Sequence, residues 1–72
     1  MKLSEFVKKY RKMKLLTQSD LAGRAEVSKM QISKIERGIP VSYKTLHKMS
    51  DAMQVPTELI YQMSEEEKDE SK

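Results

Sequence analysis

With 72 residues, 38% of them apolar, the chain has room for one domain and a modest core. It has no Cys, which removes disulfides and thiolate zinc sites and fits a reducing compartment, and no apolar run approaches the about 20 residues that cross a bilayer. The net charge of +3 hides a division: residues 1–48 hold twelve Lys or Arg against four Asp or Glu, and residues 49–72 two against seven, a basic body with an acidic end that suits a polyanionic partner.

Residues 3–14 predict a first helix, with Leu3, Phe6, Val7, Tyr10 and Met13 recurring at a three-or-four spacing and Lys8, Lys9, Lys12 and Lys14 elsewhere on its surface. Ser4 followed by Glu5 serves as its start, and it stops near Leu15. Residues 17–38, TQSDLAGRAEVSKMQISKIERG, then carry two short amphipathic patterns joined by a turn brief enough to be a helical corner. Leu21, Ala22 and Ala25 share one side of the first pattern, Ile32 and Ile35 one side of the second, and Val27 lies between them, which is the outline of a helix-turn-helix. Thr17 can cap the first of the pair, and Ser28 with Gln31 three places on fits a capping box at the start of the second. Gly38 ends that helix as a left-handed C-terminal glycine. Gly23 sits inside the first of the pair, where glycine costs roughly 0.5 to 1 kcal/mol against Ala; its use is close packing beneath a neighbour, or none.

Ile39-Pro40-Val41 reads as a short extended link, because proline biases its predecessor away from helix. Ser42 caps a fourth helix running towards Met53, with Leu46, Met49, Met53 and either Ala52 or Ser50 inward. Val55-Pro56 breaks it and opens a fifth, in which Leu59 and Ile60 are expected to close the core. From Ser64 the chain reads SEEEKDESK without an apolar residue, and disorder or a frayed helical extension is expected there. The chain therefore divides into a domain over residues 1–63 and an acidic disordered tail over residues 64–72.

Little in this pattern can do catalysis. His47 is the only histidine, so neither a zinc constellation nor a His-assisted nucleophile can be assembled. Met49 and Met53, at helical spacing, read as adaptable core filler, and the carboxylates Glu65 to Glu67 sit in a tail that preorganises nothing. No enzyme, metal or cofactor is expected, and a core this small leaves no room for a small-molecule pocket. No charged start leads into an apolar stretch and a small-residue cleavage site, so a cytoplasmic protein with no membrane contact is expected.

Thr17, Gln18, Leu21, Ala22, Val27, Ser28, Ile32, Ile35, Glu36 and Gly38, continued by Ser42, Thr45, Leu46, Met49, Met53, Val55, Glu58 and Leu59, together resemble the Cro and phage-repressor (Xre-type) family of DNA-binding domains. The resemblance implies an all-α, compact five-helix, lambda-repressor-like domain with the helix-turn-helix at its second and third helices. Two positions depart from the family pattern: Leu15 and Glu26 stand where it has a left-handed glycine. At Leu15 the first helix either ends differently or carries strain of about 1 to 3 kcal/mol.

In helix-turn-helix proteins the outer surface of the second helix of the pair lies in the major groove. By position, Lys29, Met30 and Lys34 fall where the family reads bases, with Ser28, Gln31 and Ser33 as secondary candidates. The chemistry agrees, since Lys donates to guanine O6 and N7 and Met can meet a thymine methyl. Gln18 resembles the family's phosphate-binding glutamine, Arg37 its contact past the recognition helix, and Tyr43, Lys44 and Lys48 are further phosphate candidates. Arg11 and Glu36 stand where the family forms an ion pair linking the first helix to the third. The resemblance thus implies a sequence-specific transcriptional regulator, a repressor of bacterial, plasmid or phage origin that works by occupying its operator. Such proteins pair, presenting two recognition helices about 34 Å apart to a pseudo-palindrome, and Ile60, Tyr61 and Met63 are the candidate surface for a homodimer. The alternative is a protein-interaction module of the same fold, an antirepressor, co-activator or toxin partner, with the acidic tail as its binding element.

Overall fold

The computed structural model describes residues 1–70. They form α1 (Leu3–Met13), α2 (Gln18–Ala25), α3 (Lys29–Glu36), α4 (Tyr43–Met53) and α5 (Thr57–Glu70), with no strand among the described residues. One apolar cluster gathers a stripe from every helix: Leu3 and Val7, then Leu21, Ala22 and Ala25, Ile32 and Ile35, Leu46, Met49 and Met53, and finally Ile60 and Met63. Each stripe follows the three-or-four spacing that puts side chains on one helical face. No helix among the described residues is long and apolar enough to cross a membrane.

Polar caps fix where the helices begin. Thr17 and Asp20 form a reciprocal capping box on α2, in which Thr17 Oγ1 accepts from the Asp20 amide at 3.0 Å and Asp20 Oδ2 accepts from the Thr17 amide at 2.9 Å. The Thr17 amide, then its hydroxyl, hold the Asp20 carboxyl below its ordinary pKa. Ser28 caps α3 through the Gln31 amide at 3.2 Å, and Ser42 caps α4 through the Thr45 amide at 3.3 Å. The reciprocal box therefore belongs to α2, where a carboxylate stands at the third position, and α3 carries the one-way Ser28 cap.

The ends are less economical. Leu15, Glu26 and Gln54 all adopt φ between 56° and 58°, a region where non-glycine residues are disfavoured by about 1 to 2 kcal/mol, and only Gly38 (φ 79°) supplies the residue suited to it. Of the two routes open at Leu15 the chain takes the strained one, and it does so with the side chain 91% exposed. Gly23 has nothing within 4 Å of where a Cβ would sit, so it serves no close packing.

Several sequence expectations need correction. Met13 is exposed, because the apolar stripe of α1 reaches only as far as half-buried Tyr10 before the chain turns away. Leu59 is also exposed: α5 aims Ile60 and Met63 inward, and a residue next to Ile60 lies about 100° off that face. Ile60 and Met63 are core residues and so cannot form the dimer surface suggested for them.

The largest difference is the acidic end. Residues 64–70, for which either disorder or a frayed helical extension is expected, continue α5 as helix without a break, while residues 71 and 72 lie outside the described residues. Glu65, Glu66 and Glu67 each have a partner. α1 has no side-chain cap of its own at Lys2, and neither Ser4 nor Glu5 provides one; the Ser4 amide instead donates to Glu67 Oε1 at 2.8 Å. A carboxylate suits that position because the first amides of a helix are unpaired and its dipole favours negative charge. Glu66 accepts from the Met1 ammonium at 2.8 Å, and Glu67 also lies against Gly38, where an added Cβ would sit 3.3 Å from its Oε2.

Candidate nucleic-acid interface

The arrangement of α3 is set at the corner before it. α2 ends in left-handed Glu26 (φ 58°, ψ 42°), the Val27 amide donates back to the Ala22 carbonyl at 3.0 Å, and half-buried Val27 packs against the core. Ser28 then starts α3 in a new direction. With Ile32, Ile35 and Glu36 buried on one side, the 100° step per residue sends Met30, Ser33, Lys34 and Arg37 to the opposite arc, while Lys29, about 20° round the helix from Glu36, reaches solvent at the first position of α3. Ser28, Lys29, Met30 and Arg37 are exposed; Gln31, Ser33 and Lys34 are half-buried. Met30 is 65% exposed, an apolar side chain that no core residue needs. Neither Lys29 nor Lys34 pairs with a carboxylate among the described residues.

The one acid of α3 is withdrawn from that arc. Glu36 is 5% exposed, and its carboxylate accepts from Arg11 Nε at 2.7 Å, Arg11 Nη2 at 3.1 Å and Gln18 Nε2 at 3.2 Å. Burial alone would raise the Glu36 pKa; the hydrogen bonds from Arg11 and Gln18, together with the charges of Arg11 and Lys8, outweigh it and hold the carboxyl below its ordinary 4.5. The hydrogen bond to Glu36 in turn raises Arg11 above its ordinary value, against the desolvation of the guanidinium. Arg11 Nη1 also donates to the Leu16 carbonyl at 3.1 Å, so a single guanidinium ties α1, the link to α2 and the end of α3. What remains on the solvent side of α3 is cationic, hydroxyl or apolar.

Of the phosphate candidates, Gln18, Tyr43 and Lys44 fall at helix starts, Arg37 at the end of α3 and Lys48 midway along α4. Gln18 is the first residue of α2, with one amide proton committed to Glu36 and the other open. Arg37 follows α3 and its Nε folds back onto the Ser33 carbonyl at 3.3 Å. Tyr43, the first residue of α4, meets the edge of Tyr61 from α5 with ring centroids 5.0 Å apart and planes at 61°. Lys44 beside it is exposed and without a partner among the described residues. Lys48 does something else: its Nζ donates to the Glu26 carbonyl at 3.2 Å.

Sequence reasoning missed four of these contacts. The Thr17–Asp20 box had a readable signal in its spacing, whereas Gln18 on Glu36, Lys48 on Glu26 and Glu67 on α1 join residues 18, 22 and 63 positions apart and leave no local trace. No curated protein matches the chain. A family model for helix-turn-helix domains matches residues 7–60, which takes in all of α2, α3 and α4 together with residues 7–13 of α1 and 57–60 of α5. Covering three quarters of the sequence, that match makes the chain a member of the Cro/Xre-type helix-turn-helix family of DNA-binding regulators.

Proposed function

We propose that the protein is a sequence-specific transcriptional regulator, acting as a cytoplasmic repressor by occupying an operator with the outer face of α3 in the major groove. The observation that carries this reading is the cationic and apolar arc of α3, with its single acid buried and neutralised by Arg11. Lys29 and Lys34 donate to guanine edges, Met30 meets a thymine methyl, and Ser28 and Ser33 supply adaptable hydroxyls. Gln18, Arg37, Tyr43 and Lys44 hold the phosphates that set the register. The domain works as a homodimer on a pseudo-palindrome of bacterial, plasmid or phage DNA, since one α3 spans too few base pairs to select a site.

The test is binding to a duplex recovered by selection from a random pool, against a random-sequence duplex, over a salt series. Lys29→Ala and Lys34→Ala should each cost about 1 to 3 kcal/mol on the selected duplex alone, while Lys44→Ala should weaken both duplexes alike and reduce the salt slope by about one. Equal losses on both duplexes for Lys29→Ala and Lys34→Ala would refute base reading by α3.

A further inference from the structure

We infer that Lys48 is a positioning residue for base reading, acting through the Glu26 corner, rather than a ligand of phosphate. The inference deepens the proposed function and rests on it only for its effect on DNA; the contact itself is independent of that reading.

Three non-glycine residues end helices in the left-handed region, and Glu26 is the one of them whose carbonyl receives a side-chain donor among the described residues. It is also the one that joins α2 to α3. At such a residue other backbone wells lie lower, so Glu26 stays left-handed only because its surroundings hold it there. The Val27 amide on Ala22 holds one side of the corner, and Lys48 Nζ, reaching from α4 across 22 positions of sequence, holds the other. An ammonium there is also favoured by the C-terminal end of the α2 dipole. Glu26 and Asp51 line the same cleft beside Lys48, yet neither carboxylate comes within ion-pair distance of its Nζ. The ammonium is therefore committed to the backbone of the corner.

The corner has a particular leverage. Rotation about Glu26 swings Val27 and Ser28, and with them the whole axis of α3, whereas phosphate contacts from Lys44 or Arg37 tolerate small shifts. Loss of the Lys48 bond should thus harm the reading of bases and spare the grip on the backbone. Lys44 and Lys48 stand one turn apart on α4, so the same helix that begins with phosphate candidates steadies the recognition helix.

The experiment uses the full chain with three substitutions, Lys48→Met, Lys48→Arg and Glu26→Gly, on the selected and random-sequence duplexes. Lys48→Met, which keeps the aliphatic stem, should weaken the selected duplex about fivefold to tenfold, the worth of one solvent-exposed hydrogen bond, and shift the random duplex by less than about twofold. Its salt slope on the selected duplex should match that of the unsubstituted protein. Lys48→Arg should restore binding, and in the Glu26→Gly background, where glycine holds the left-handed corner unaided, Lys48→Met should cost less than about twofold. Equal weakening of both duplexes with a slope reduced by about 0.9 would make Lys48 a phosphate ligand and overturn the inference, as would no weakening at all. Without DNA, the amide resonances of Val27 and Ser28 should move in Lys48→Met and stay in place in Lys48→Arg. If the unsubstituted protein selects no duplex, the regulator reading fails, and unmoved Val27 and Ser28 resonances would then sink the Lys48 inference on their own.

Discussion

Replacing Arg11 with Met removes two of the three donors on the Glu36 carboxylate and leaves that carboxylate buried with Gln18 alone. The cost follows from the geometry. Glu36 is 5% exposed, its bond to Arg11 Nε is 2.7 Å long, and stranding one member of such a pair costs about 3 to 5 kcal/mol. The 19% exposure of Arg11 argues for the lower end of that range, about 3 kcal/mol, which in a domain of this size corresponds to a fall of about 12 to 24 °C in the melting midpoint. Circular dichroism melts at neutral pH measure it. The pH dependence is sharper still. In the unsubstituted protein the folded pKa of Glu36 lies below 4.5, so its contribution is fully present above that value and is lost as pH falls through the folded pKa. In Arg11→Met only the Gln18 hydrogen bond and the Lys8 charge still oppose burial, the largest single effect on this carboxyl, so its folded pKa should rise above the unfolded one. Acidification from neutral pH towards the ordinary carboxylate range should then stabilise the variant while it leaves the parent unchanged. A loss below about 1 kcal/mol, with melts that fall in parallel on acidification, would mean that the pair behaves as an exposed one and that the reasoning is wrong.

Further substitutions test the backbone and the Glu67 contact that caps α1. Leu15→Gly relieves about 1 to 2 kcal/mol of left-handed strain against about 0.5 to 1 kcal/mol of added chain entropy, and the exposed side chain has no packing to lose; the midpoint should rise by about 4 °C. Gly23→Ala enters open space inside α2 and should add about 0.5 to 1 kcal/mol in urea titration, with an unchanged or lower midpoint showing that the helix needs its glycine. Glu67→Ala uncaps α1 and should cost about 1 kcal/mol, seen as faster amide exchange in the first turn of α1, whereas Glu65→Ala, which removes only an exposed contact to Lys68, should leave that turn protected.

Where the sequence was readable, one physical rule sufficed. Periodicity marks the stripes Leu21, Ala22, Ala25 and Ile32, Ile35, and the spacing of hydroxyls marks the starts of α2, α3 and α4, since both are local properties. The acidic end was opaque for the opposite reason. Nothing in SEEEKDE shows that Ser4, more than sixty positions earlier, lacks a cap, and a carboxylate run reads as solvated until its tertiary partner is known. Leu15 and Glu26 mark an intermediate case: the left-handed requirement was legible from the family pattern, but whether the chain would accept strain or avoid it depended on the packing of helices on either side. Lys48 looked like any surface lysine, and only the direction of the Glu26 carbonyl gives it a role.

The Arg11–Glu36–Gln18 cluster poses a last question, because a buried ion pair is weak support for stability and an apolar replacement is often neutral or better by about 1 to 4 kcal/mol. The double substitution Arg11→Met/Glu36→Leu should therefore melt at or above the temperature of the parent, in contrast to Arg11→Met alone. Its DNA binding should suffer all the same. Gln18 loses the acceptor that orients its amide at the start of α2, and if it holds a phosphate as proposed, the freed side chain must be ordered again for that contact. Because phosphate contacts carry no sequence information, the loss should be uniform across selected and random duplexes, about threefold to tenfold for one disordered hydrogen bond. A double variant that is stable and binds as tightly as the parent would show that the cluster is needed for neither stability nor DNA binding. One that is stable and binds weakly everywhere would show why a polar cluster is kept at this position: it aims Gln18 while hiding the only negative charge on the reading helix.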